Sequence, residues 1–485
     1  MKKRLILTLA LMFAVVFNAS SQHLRLPKVI GDNMVLQQGK KVVVWGEAAP
    51  NAKVEVQFQK QKHRTTANEV GKWQVLLDEM KATDKSQNLV VRSDDETLIL
   101  KNVVVGEVWL ASGQSNMEYS MANHPKYAKP RRGDRDYQQK AYESASNPLI
   151  RVMHVQKNLK ADTLPSYGWK TLTQESLKPV SAAAYFFAEM LADSLKVPVG
   201  VISSAWGGTS IEAWTPIEAY VESEQFGDKI ERGKYLGSEE IGKRYNKMIA
   251  PIIPYTMRGI IWYQGEQNLI MGDVDSYTDK QRLLIEGWRN KWNDQNLSFY
   301  YVQLAPHIYS QRRNDVEPKT WETLPLFRYA QEATMYEVEG TGMVVITDLV
   351  DKLSDIHPPY KWEVGCRLAR WALANDYGCD MEYKNASFES MQVEGDRLIV
   401  TFKDVAGGLK TSNGEAPDWF WIADKQGRFF KAEAELIAPD KVALRQERIK
   451  RPVAVRFGWD ETATPNLQNG AGLPVIPFKK WLEVR

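Results

Sequence analysis

The sequence predicts an α/β domain set between two all-β domains, behind an N-terminal export segment. Three observations carry this. Short strand-like runs divided by turn residues fill residues 22–105. Apolar runs alternate with helical stretches over residues 106–382. Strand-like texture then returns over residues 383–485. The chain has 485 residues, 44% hydrophobic and 25% charged, which excludes a disordered, collagen-like or coiled-coil chain.

The first element is residues 1–21, predicted to be a signal peptide. Lys2, Lys3 and Arg4 form a positive start. Residues 5–17 are apolar apart from Thr8, and Ala19, Ser20 and Ser21 supply small residues before Gln22. The run is shorter than the roughly 20 residues a spanning helix needs. No Cys stands beside the cleavage point, so no lipid anchor is expected. The mature chain is expected to be exported, periplasmic or extracellular, with no membrane insertion. The formal charge of +3 matches the three basic residues of this segment. The remainder is balanced and carries no electrostatic footprint for nucleic acid. Cys366 and Cys379 form no Cys-x-x-Cys pair and no disulfide scaffold. After export they either pair or stay free thiols. The sequence carries no signal for an oligomeric state.

In the first β domain, Val54, Val56 and Phe58 alternate with Glu55, Gln57 and Gln59, the signature of a half-buried strand. Residues 41–45, 73–77, 89–92 and 97–100 read as further strands, spaced as in a β-sandwich. No catalytic cluster occurs there. In the α/β region, residues 103–111, 199–203, 259–263, 299–304 and 343–347 read as buried strands. Helices are expected over residues 182–195 and 360–377. The second has Val364, Leu368 and Trp371 on one face and Gly378 as its stop. Such alternation implies a mostly parallel sheet, whose ligands sit beyond the carboxyl ends of its strands. In the last domain, residues 397–403, 419–423, 441–445 and 453–459 are the strands.

The six histidines show no metal-ligand spacing, and no phosphate-cradling or dinucleotide loop is present. No metal or organic cofactor is expected. Four strand-end segments carry chemistry instead. Ser115 follows Gly113 and Gln114, where a hydroxyl can project from the sheet edge, although the Gly-x-Ser-x-Gly elbow is absent because Met117 fills its second glycine position. Gly207 and Gly208 follow the strand at 199–203 and permit close backbone approach, with N–H groups for a developing oxyanion. Asn268, in Gln264-Gly265-Glu266-Gln267-Asn268, offers a side-chain N–H donor, and Glu266 is a carboxylate of interest. Asp355 and His357 precede a helix and suit an orienter and a general base. Singly, each reads first as a cap, a turn or an ordinary surface or core histidine. Together, at the loops of one α/β domain, they supply a nucleophile, two kinds of oxyanion donor and a base with its orienter.

This constellation resembles the SGNH hydrolases, and most closely the sialate O-acetylesterase family. The blocks that carry the resemblance are GEVWLASGQSNM at 106–117, AWGGTSIEAW at 205–214 and YNKMIAPIIPYTMRGIIWYQGEQN at 245–268. FYYVQL at 299–304, DIHPPYKWEVGCRLARWALANDY at 355–377 and NLQNGAGLPVIPF at 466–478 continue it. The resemblance implies an SGNH-type (flavodoxin-like) three-layer α/β/α catalytic domain flanked by β-sandwich-like domains. It also implies a serine esterase acting on O-acetylated glycans through an acetyl-enzyme. Ser115 matches the nucleophile, Gly207, narrowly over Gly208, the oxyanion glycine, and Asn268 the oxyanion asparagine. His357 matches the base and Asp355 the acid. The wider pattern Asp-x-x-His is not met, because Ser354 stands where its acid would be; Glu266 or a backbone carbonyl is the alternative orienter.

Trp206, Trp214 and Trp262 lie beside the proposed site, but no sugar-binding residue is singled out. Three other readings remain: an acetylxylan or other polysaccharide acetylesterase, a non-catalytic carbohydrate-binding protein, and a glycosidase using Glu266 and Asp355 as a carboxylate pair.

Overall fold

A computed structural model describes residues 23–94, 96–122, 129–230, 235–236, 239–312 and 318–482. The expected signal peptide lies outside the described residues. The protein is a mixed α/β chain with a central mixed sheet and flanking sheets.

The central sheet comprises β1 (Glu96–Gly113), β2 (Ile150–Val155), β3 (Ser166–Thr171), β4 (Val199–Ala205), β5 (Gly259–Tyr263), β6 (Ser298–Val302) and β7 (Thr341–Val344). Their spatial order is β7-β6-β5-β1-β4-β2-β3. Neighbours run parallel except β2 and β3, which are antiparallel. The chain leaves β1 toward one side of the sheet and later returns to build the other. β1, between β4 and β5, is therefore the switch point, where a crevice opens beyond the carboxyl ends.

β1 differs from expectation. Residues 97–100 and 103–111 read as two strands in different domains, yet they form one strand of 18 residues. Its first half pairs antiparallel with Thr83–Ser93 of the N-terminal region. Its second half pairs with β4 and β5. Asn102 adopts φ 57°, a left-handed conformation that Asn tolerates, inside the strand. The expected boundary after Val105 falls inside this strand. Val54, Val56 and Phe58 accordingly share a hydrophobic cluster with Leu110 and Trp262.

Successive strand side chains point to opposite faces. Trp109, Ala111, Ile261 and Tyr263 pack with α1 (Ala182–Leu195) and with the helix Lys361–Asn375. Leu110, Ile260 and Trp262 pack with α2 (Tyr277–Trp292) and α3 (Thr323–Glu337). The Lys361–Asn375 helix is α4. The sequence reading anticipated α1 and α4, and Gly378 stands just beyond α4 at φ 65°. It did not anticipate α2 and α3. Buried charges such as Lys280, Arg289 and Arg328 interrupt their apolar faces and hide the period.

The C-terminal region forms two four-stranded antiparallel sheets. One holds Ser387–Glu394, Arg397–Lys403, Lys441–Arg445 and Glu433–Ala438; the other holds Phe420–Ala423, Phe429–Lys431, Ala454–Phe457 and Phe478–Trp481. They share a core that includes Leu398, Val400, Phe420, Val442 and Phe457. This region docks on the central one through Glu461, whose carbonyl accepts from His307 N at 3.0 Å and whose Oε2 accepts from Ser310 N at 2.9 Å. Cys366 and Cys379 are free thiols. Among the described residues, no helix is long and apolar enough to cross a membrane.

Candidate active site

The site begins where β1 ends. Gly113 has φ 141°, and a Cβ there would meet the Tyr263 carbonyl oxygen at 2.2 Å. Only glycine lets the β1 end close on β5. Gln114 N then donates to that same carbonyl at 3.0 Å. Ser115 opens a short helix, Ser115–Glu118, and stays partly exposed.

The Gln114 side chain ties this turn to the loop after β5. Its Oε1 accepts from Gln264 Nε2 at 3.1 Å, Gly265 N at 3.3 Å and Gln267 N at 3.1 Å. Neither Gln114 nor Gln264 was singled out from sequence, although both lie within the matching blocks.

The loop before α4 brings the base. His357 Nε2 lies 3.1 Å from Ser115 Oγ, across 242 positions of chain. Asp355 Oδ1 lies 3.4 Å from His357 Nδ1 and accepts from the His357 backbone N at 3.0 Å. Glu266 does not take the orienting role: it is 2% exposed and its Oε1 accepts from Asn116 Nδ2 at 2.5 Å.

Gly207 follows β4. A Cβ on it would stand 3.0 Å from the Ser115 Cβ, so glycine allows the backbone to approach the serine closely. Its N–H donates to Glu118 Oε2 at 2.5 Å, and Glu118 also pairs with Lys157. An anionic oxygen thus already rests on this amide beside Ser115. Gly208 is exposed, with φ 70°.

Asn268 stands differently from its expected use. Its Nδ2 donates to Glu212 Oε2 at 3.1 Å and to Asp273 Oδ2 at 2.9 Å. Its Oδ1 accepts from Ile211 N at 3.0 Å and Gln264 Nε2 at 2.7 Å. Both amide hydrogens are therefore engaged by carboxylates, and in this arrangement neither is free for an oxyanion at Ser115. Lys280 Nζ completes the cluster, 2.6 Å from both Glu212 Oε1 and Asp273 Oδ2. Burial pulls the Lys280 ammonium down, but the two carboxylates outweigh it and hold its pKa above the ordinary value.

Beneath the dyad lies a second buried group. Burial pushes Glu266 above the usual carboxylate range, opposed by its bond from Asn116. Burial also depresses Lys361 to about 7, against the pull of Glu266 and Asp355. Among the described residues, no group of three or more His, Cys, Asp or Glu side chains has the arrangement to hold a metal ion.

Geometrically the arrangement is a hydroxyl, an imidazole in hydrogen-bond reach and a backbone amide at one rim, which suits acyl transfer. A family model described as carbohydrate esterase, sialic acid-specific acetylesterase matches residues 105–373. Sialate O-acetylesterase from Homo sapiens is 30% identical, over 94% of this chain and 92% of that protein. The enzyme of the same name from Mus musculus is 28% identical, over 78% of this chain and 77% of its own. The crystal structure of a carbohydrate acetylesterase from Xanthomonas citri superposes with a TM-score of 0.82 at 31% identity, covering 94% of this chain and 99% of that one.

Proposed function

The chain belongs to the sialic acid-specific acetylesterase family of carbohydrate esterases, and from that premise we propose a serine mechanism centred on Ser115. The protein is a carboxylic ester hydrolase that cleaves O-acetyl esters on carbohydrates. The single observation that carries the serine reading is the 3.1 Å approach of His357 Nε2 to Ser115 Oγ.

Ser115 Oγ attacks the acetyl carbonyl while its proton passes to His357 Nε2. The tetrahedral oxyanion is held by the N–H groups of Ser115 and Gly207, the latter released by Glu118 as substrate enters. Collapse breaks the bond to the sugar oxygen, which leaves with the proton from His357. Water then adds to the acetyl-enzyme by the same route and releases acetate. Asp355 orients the imidazole and stabilises its charged form. Asn268 serves as a direct oxyanion donor only if its amide leaves Glu212 or Asp273. In its present bonds it fixes the backbone at Ile211.

The fold that fits this reading is the SGNH-type three-layer α/β/α domain between β-sandwich-like domains. The substrate that fits it is an O-acetylated sialic acid, as the names of the human and mouse relatives indicate. The leader pattern at residues 1–21 supports export to the periplasm or beyond.

The test is acetate release by the mature protein from O-acetylated sialoglycan and from acetylated xylan, with Ser115→Ala as the control. The expected result is release from the sialoglycan, and a fall in kcat on an aryl acetate of at least about 10³-fold in the variant. Preference for xylan would replace the sialate assignment. Near wild-type turnover by folded Ser115→Ala would reject the nucleophile.

A further inference from the structure

Asn116 follows Ser115 directly, and its side chain is 1% exposed. Its Nδ2 donates at 2.5 Å to Glu266 Oε1 and at 3.0 Å to the carbonyl oxygen of Ile356, the residue before His357. Its Oδ1 accepts from Lys361 Nζ at 2.6 Å. Both amide hydrogens and the oxygen are therefore used. One side chain thus spans the loop that carries the serine and the loop that carries the histidine, 240 positions apart.

We propose that Asn116 is a positioning residue that sets the Ser115–His357 distance, and that Glu266 and Lys361 hold its amide in the required orientation. The proposal rests on the serine reading above.

The burial of the three groups argues for such a role. Lys361 is wholly buried, with its ammonium 5.1 Å from the Tyr119 ring centre and 4.9 Å from that of Tyr263. A buried amine and a buried carboxyl are costly, and an apolar trio of the same volume would pack without that cost. What an apolar trio cannot do is direct one N–H at the Ile356 carbonyl. The amide orientation also survives proton movement. A neutral lysine still donates to Asn116 Oδ1, and a protonated Glu266 still accepts through its carbonyl oxygen. Asp355 and His357 are the other titratable groups of the loop above. The three bonds of the Asn116 side chain run to Glu266, to the Ile356 carbonyl and to Lys361.

The test uses the full mature chain, with kinetics on an aryl acetate and the rate at which a fluorophosphonate probe labels Ser115. Asn116→Ala is expected to lower kcat by about 10²-fold and slow labelling alike, with KM within about threefold, because the hydroxyl and imidazole lose alignment while binding does not. Glu266→Leu is expected to match it. Glu266→Gln keeps an oxygen that accepts from Asn116 and is expected to recover most of the loss, a difference that simple core packing would not produce. Folded Asn116→Ala with kcat within threefold of wild type overturns the proposal, as does equal kcat for the Leu and Gln variants. Where Glu266→Leu does not fold, Lys361→Met replaces it: a fall of about tenfold or more supports the proposal and kcat within threefold of wild type overturns it. Wild-type protein that takes no label at Ser115 sinks the serine reading itself. Labelling in wild type at a rate unchanged in Asn116→Ala sinks only the positioning role.

Discussion

Asp355 holds His357 twice, through the backbone N at 3.0 Å and at the ring Nδ1 at 3.4 Å. The ring contact is longer than a well-formed hydrogen bond, while the backbone bond has ordinary length. The acid therefore fixes the loop as much as the tautomer. Asp355→Asn retains an acceptor for the backbone N–H and removes the charge that favours imidazolium. It is expected to lower kcat by about 10–10²-fold, less than the roughly 10⁴-fold of a tightly coupled triad acid. Steady-state kinetics on an aryl acetate read this directly. A loss as complete as that of Ser115→Ala would show a fully coupled triad.

Gly207 tolerates little beside Ser115. Gly207→Ala places a methyl 3.0 Å from the Ser115 Cβ and 3.1 Å from Glu118 Oε2. The amide is expected to retreat from the serine, with kcat falling about 10–10²-fold while the urea midpoint changes little. An unchanged kcat would point to Gly208 as the donor in its place.

Lys280 compensates buried Glu212 and part-buried Asp273, at 2.6 Å each. Lys280→Met leaves Glu212 and Asp273 facing each other and Asn268 without their counter-cation. A loss of about 3–5 kcal/mol is expected in urea unfolding of the central region. A loss below about 1 kcal/mol would show that water reaches the pair.

His307 ties stability to pH. Burial, with a smaller push from Arg312, lowers it from the ordinary 6.5 to about 4. Between these values the unfolded chain binds a proton that the folded chain does not. The stabilisation from neutral His307 is thus complete above about 6.5 and is lost as pH falls toward 4, to a total of about 3 kcal/mol. His307→Phe keeps a ring against Tyr309, with which His307 makes an edge contact. The variant is expected to lose less stability than wild type between pH 6.5 and pH 4 in urea titrations. Parallel pH slopes for the two proteins would refute the assignment.

Much of this site is legible in the sequence because its signals are local. Apolar runs at 103–111, 199–203 and 259–263 mark strands by composition, and the loops after them carry Ser115, Gly207 and Asn268. Lys101 and Asn102 read as a turn, so the sequence divides β1 into two strands. The chain absorbs the positive φ of Asn102 without leaving the ladder. α2 and α3 escaped because Lys280, Arg289 and Arg328 sit on faces that would otherwise be apolar. Nothing local signals that Lys280 meets Glu212 or that Arg328 bonds the Leu304 carbonyl.

Glu266 draws notice in the sequence as a carboxylate, but its joint bonding with Asn116 and Lys361 lies outside any local window. Glu266 and Lys361 lie 150 and 245 positions from Asn116. Asn268 shows the same limit from the other side. Its residue type suits an oxyanion donor, yet which acceptors its two N–H groups meet depends on Glu212 and Asp273.

The strands that end in chemistry, the residue types at those ends and the family they resemble are written in local stretches of the chain. These follow from periodicity and turn preference over a few neighbouring residues. That β1 lies between β4 and β5, that His357 reaches Ser115 and that Asn116 bridges their loops follows from the assembled fold alone. Sheet order and hydrogen-bond pairing are settled by which distant surfaces bury one another, and no short window of sequence contains both partners.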